Sequence, residues 1–65
     1  MTPAQRTAAL ATIWEAMIER VERLHDDAVL GQSRASSRTA TQLLLTAEEI
    51  AALVRAVIAL RRERR

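Results

Sequence analysis

Residues 10–28 read Leu-Ala-Thr-Ile-Trp-Glu-Ala-Met-Ile-Glu-Arg-Val-Glu-Arg-Leu-His-Asp-Asp-Ala, and their apolar spacing decides the fold. Leu10, Trp14, Met17, Val21, Leu24 and Ala28 recur at intervals of 4, 3, 4, 3 and 4 residues, the a/d seam of a helix in a bundle. Ile13 and Ile18 flank that seam on either side, widening the stripe toward what a four-helix-bundle helix buries. Glu15, Glu19, Arg20, Glu22, Arg23 and Asp26 take the remaining, solvated positions. Upstream, Thr2-Pro3-Ala4-Gln5 is a complete helix start: Thr2 caps, Pro3 sits where a missing N–H costs nothing, and Gln5 returns a bond to the cap backbone. Downstream, Gly31 is the natural stop. The spacing therefore predicts a first helix over 3–30, about 40 Å long.

A second helix is predicted over 46–64. Thr46-Ala47-Glu48-Glu49 has the form of a capping box, and Leu45 before it is placed to staple onto Ile50. Ile50, Leu53, Val57 and Leu60 continue as a heptad seam, with Val54 and Ile58 beside it and Arg55 outside. Early Glu48 and Glu49 and late Arg61, Arg62, Arg64 and Arg65 match the helix dipole at both ends. Between the helices, 31–45 reads as a linker: polar from Gln32 to Arg38, then Thr39 to Leu45. A structureless connection of that length is long for a compact domain. A loop or short helical turn is expected there ahead of an extended segment, because a lone two-stranded ribbon is weak in water.

Composition narrows the class. Sixty-five residues make one domain, 1–65, and a chain this short buries only roughly 60% of its unfolded surface. There is no cysteine, hence no disulfide framework, thiolate metal site or cysteine nucleophile. Trp14 is the sole aromatic, so a base-stacking surface has nothing to be built from. Thirteen alanines, eight leucines, one glycine and one proline favour helix over sheet. The most apolar run, 50–60, is 11 residues long and contains Arg55, far short of the ~20 residues that cross a bilayer. No membrane span and a cytoplasmic setting are the expectation, with a bacterial or phage-like small regulator as the kind of protein.

The fold class that follows is all-α: a helical hairpin dimerising into an antiparallel four-helix bundle. One hairpin satisfies only part of two apolar stripes, and the expected interface is Leu10, Ile13, Trp14, Met17, Val21, Leu24, Ile50, Leu53, Val54, Val57 and Leu60. Charge suggests the orientation. Residues 1–30 hold 3 arginines against 5 acids and residues 31–65 hold 7 against 3. Folded as a hairpin, the chain has one acidic and one basic end, and a head-to-tail pair sets unlike ends together. A different helical protein is the other partner these stripes suit.

Chemistry finds little support. Arg23-Leu24-His25-Asp26-Asp27 resembles, over five residues, the phosphoacceptor helix of histidine-kinase dimerisation hairpins, which would imply phosphotransfer at His25. A solvated histidine near a helix end is the reading taken. His25 and Asp26 point to different sides of a helix, with no second histidine at i+4, so no metal and no cofactor are expected. Ser33, Ser36, Ser37, Thr39 and Thr41 have no base or oxyanion arrangement beside them. The alternative function is nucleic-acid binding, with Arg34, Arg38, Arg61, Arg62, Arg64 and Arg65 as phosphate contacts. Against it stand a net charge of only +2 and the absence of helix-turn-helix spacing. A non-enzymatic oligomerising adaptor, regulator or assembly component is the expected function.

Overall fold

The first turn forms as the sequence dictates. Thr2 N donates to Gln5 Oε1 at 2.9 Å and Gln5 N donates to Thr2 Oγ1 at 3.1 Å, the reciprocal pair of a capping box. From this start, in a computed structural model that describes residues 1–33 and 37–62, α1 runs over Pro3–Ser33 and α2 over Ser37–Arg62. The two helices pack antiparallel as a hairpin, with Cα extents of 47 × 15 × 11 Å. The described residues contain no strand.

Both helices are longer than the sequence spacing predicts. α1 continues three residues past Leu30, and Gly31 lies inside it with no positive φ. Glycine serves there as a contact, not as a stop: a Cβ at Gly31 would meet Thr39 Cγ2 at 3.3 Å. The larger difference is in α2, which begins at Ser37 instead of Thr46 and makes most of the expected 31–45 linker helical. Thr46 is consequently a mid-helix residue, its hydroxyl bonded to the carbonyl of Gln42 at 3.1 Å, and Thr41 bonds likewise to Ser37 at 3.0 Å. Hydroxyls tied back to the preceding turn are compatible with a continuing helix. Packing supplies the reason. Thr39, Leu43 and Thr46 stand 4 and 3 residues apart, in register with Ile50, Leu53, Val57 and Leu60. A helix that started at Thr46 would leave the last turns of α1 without a neighbour. The expected end at residue 64 lies outside the described residues.

The seam between the helices has one register on each. On α1 the half-buried and buried positions in this register are Arg6, Leu10, Ile13, Met17, Arg20, Leu24, Asp27 and Gly31, with Ala9 and Ala16 half-buried beside it, and on α2 they include Thr39, Leu43, Thr46, Ile50, Leu53, Val57 and Leu60. Met17 and Val57, each 6% exposed, and Thr46, at 1%, are the only fully enclosed side chains among the described residues. Arg20 closes one edge of the seam: its Nε lies 2.7 Å from Glu49 Oε2, and its Nη1 donates to the Ala16 carbonyl at 3.2 Å. No helix among the described residues is long and apolar enough to cross a membrane.

Candidate interaction surface

Eleven residues are expected at an interface between copies, and the structure divides them. Leu10, Ile13, Met17 and Leu24 of α1 and Ile50, Leu53, Val57 and Leu60 of α2 lie in the seam inside one hairpin. Trp14, Val21 and Val54 do not. They are 51%, 50% and 40% exposed. The line Leu10-Trp14-Met17-Val21-Leu24-Ala28 thus belongs to two registers, and Ile13, read as a flank, is in the seam. A helix turns 100° per residue, so the exposed apolar positions of α1 form their own strip about 110° round from the seam: Ala11, Trp14, Ile18, Val21, His25 and Ala28, spaced 3, 4, 3, 4 and 3 residues apart. α2 carries a matching strip, also about 110° from its seam: Ala40, Leu44, Ala47, Ala51, Val54 and Ile58, spaced 4, 3, 4, 3 and 4 apart.

The two strips lie on the same side of the hairpin. In antiparallel helices a displacement of equal sign along the chain turns toward a common face, and the contacts agree. Thr7 continues the α1 strip and Arg61 the α2 strip, and both line one groove with Pro3, Arg6 and Leu10. Arg20 and Glu49 border the opposite face, as do Asp27, Arg38 and Gln42, which line a second groove with Leu30 and Thr39. One broad side of the molecule is therefore charged. The other presents twelve strip positions of which eleven are apolar and the twelfth is His25.

Of the arginines proposed as phosphate contacts, the three described ones stand at both ends of α2. Arg38 stands near the connection end of α2 and Arg61 and Arg62 near its other end, 23 residues or about 35 Å apart along the helix. Arg34, Arg64 and Arg65 lie outside the described residues. His25 is exposed, its Nδ1 3.6 Å from Asp26 Oδ1. Among the described residues, no group of three or more potential ligands is placed to hold a metal ion.

No family model, curated protein or solved structure matches the chain. The sequence carried a signal for the second register, because Trp14, Ile18 and Val21 repeat at 4 and 3 just as Leu10, Ile13 and Met17 repeat at 3 and 4. Arg20 in the first register masked it, since a charged residue at a seam position reads as solvated until its partner across the hairpin, Glu49, is known.

Proposed function

We propose that the chain is a non-enzymatic self-associating protein, two copies of which pack their hairpins into an antiparallel four-helix bundle, and that it serves as an oligomerising adaptor, regulator or assembly component. The observation that carries this is the uncharged face. Of the ten large apolar side chains that are 40% exposed or more among the described residues, six (Trp14, Ile18, Val21, Leu44, Val54 and Ile58) lie on it, against two apolar side chains that are buried. The accessible surface of 5259 Å² compares with about 4,200 Å² for a compact monomer of 7.3 kDa. An excess of roughly 1,000 Å² with an apolar concentration on one side is the signature of a surface that functions covered. Two enclosed aliphatic side chains are too small a core to hold a hairpin alone against the chain entropy of folding. Sedimentation equilibrium from micromolar to hundreds of micromolar tests the proposal. A reversible species of twice 7.3 kDa is expected, and a persistent 7.3 kDa monomer that remains helical counts against it.

A further inference from the structure

We infer that the uncharged face is occupied by a second copy of this chain in one particular orientation: the connection ends side by side, with α1 of each copy lying over α2 of the other. The inference rests on self-association as proposed above and adds the face and the register.

The face has the geometry of half a bundle. Each helix of a square four-helix bundle touches two neighbours roughly at right angles, and each helix here has two a/d strips about 110° apart, one spent inside the hairpin and one exposed. The outer strips run over 18 and 19 residues, about 26 Å, across two helices about 10 Å apart. That footprint of about 500 Å² per copy gives a total of about 1,000 Å², at the lower bound of specific interfaces.

The level of each residue decides the orientation. Arg20 meets Glu49 and Gly31 meets Thr39, so residues of α1 and α2 at one height have numbers summing to about 70. With the connections at the same end, the α1 strip meets the α2 strip of the second copy in six layers at matching heights. Trp14 then faces Val54, Ile18 faces Ala51, Val21 faces Ala47, His25 faces Leu44 and Ala11 faces Ile58. Four of these layers set a larger side chain on a smaller one, which keeps the helix spacing even and the core filled, and His25 on Leu44 pairs two of similar size. The sixth, Ala28 on Ala40, is small on small. Reversing one copy breaks this pattern. It stacks Ile18 on Val21 between one pair of helices and Ala47 on Ala51 between the other, and it brings Glu15 near Glu22 and Glu48 near its own equivalent. In the same-end arrangement Glu15 stands at the height of Arg55 of the second copy, an ion pair unavailable within one hairpin, where the two lie on opposite outer sides.

The end-to-end charge expected to favour the reversed pairing is weaker than this. Among the described residues, the open half carries Arg6, Arg55, Arg61 and Arg62 against Glu15 and Glu19, and the connection half carries Arg20, Arg23 and Arg38 against five acids. Solvent-exposed charges of this kind are screened beyond about 8 Å at physiological salt and contribute ~0–1 kcal/mol per pair. Side-chain layers over the full face outweigh them.

Two measurements test the inference. Spin labels on Gln32→Cys, in a chain with no other cysteine, report the orientation without disturbing the face centre. Same-end pairing puts the two α1 axes about 14 Å apart and gives a distance under about 25 Å. Reversed pairing separates the sites by about 38 Å along the axis and overturns the orientation while leaving self-association standing. The second measurement is sedimentation of Glu15→Arg, Arg55→Glu and the double exchange. Each single change is expected to weaken the dimer two- to fivefold and the double to restore it. Loss without restoration overturns the Glu15–Arg55 pairing. In the same series Val21→Glu with Val54→Glu should weaken association at least tenfold while Arg23→Glu with Gln42→Glu on the charged side does not, and a dimer indifferent to the first pair places the interface elsewhere. A wild-type chain that never dimerises removes both this inference and the proposal beneath it.

Discussion

The seam inside the hairpin and the strips on its outer face are built from the same residue classes at the same spacing, yet the first is covered by the chain itself and the second is not. Leu10, Ile13, Met17 and Leu24 reach across to α2, whereas Trp14, Ile18 and Val21, one position further round the helix, face outward at 50–57% exposure. The seam also tolerates charge that the outer strips lack over 11–28 and 40–58. Arg20 sits in it because Glu49 lies 2.7 Å away and the Ala16 carbonyl accepts a second bond. The difference teaches that hydrophobic periodicity identifies which residues want cover, and that only the partner's position says whose surface provides it.

The most severe way to break the comparison is to charge the seam. Leu53→Asp with Val57→Asp puts two carboxylates between the helices, one of them at the 6%-exposed Val57 site. An unpaired buried charge costs several kcal/mol, and a domain of this size is stable by only about 3–10 kcal/mol. Helical circular dichroism should therefore be lost along with any assembly. A double variant that stays helical would show that the seam is not what holds the hairpin together.

The outer face should respond differently. Trp14→Ala leaves the seam intact and removes the largest side chain of the exposed strip, so the expected loss is in association, at least tenfold or about 1.4 kcal/mol. Helicity at concentrations where the dimer still forms should be retained. The intrinsic fluorescence of Trp14 supplies an independent readout in the wild-type chain, with emission moving to shorter wavelength as concentration rises and the indole is covered. Emission unchanged through the association transition would remove Trp14 from the interface.

How far the sequence was legible divides along the same line. The helical hairpin, the Thr2–Gln5 cap and the seam of α2 from Ile50 to Leu60 follow from local rules, because capping, propensity and heptad spacing all act within a few residues. The start of α2 did not. Thr46-Ala47-Glu48-Glu49 has every local feature of a helix start, but Glu49 is engaged by Arg20, 29 residues away, and Thr46 is enclosed against α1. Tertiary contact overrode a local signal worth about 1 kcal/mol. The candidate interface is legible as a class of residue and not as a face: Trp14, Val21 and Val54 stand among the expected interface positions, Ile18 and Ile58 read as apolar flanks left over beside the seams, and nothing in the spacing singles out Leu44. Their separation from Leu10 and Met17 depends on where α2 lies, which no spacing within α1 contains.

The smallest expected effect concerns Gly31, where Thr39 of α2 stands against the backbone of α1. Alanine is favoured over glycine in a helix interior by about 1 kcal/mol, and Gly31 has an ordinary helical φ, so Gly31→Ala should stabilise the hairpin unless the new methyl is obstructed. It is: Thr39 Cγ2 stands 3.3 Å from where the Cβ would be, closer than ordinary carbon–carbon contact. The single substitution is accordingly expected near zero, the helix gain offset by displacement of Thr39. Thr39→Ser removes the obstructing methyl and keeps the hydroxyl, so Gly31→Ala made in that background should recover most of the gain. The thermal midpoint is then expected to rise by about 4–8 °C for each kcal/mol, relative to Thr39→Ser alone. Equal shifts in the two backgrounds would mean that Gly31 and Thr39 do not touch, and that α1 and α2 diverge before the connection.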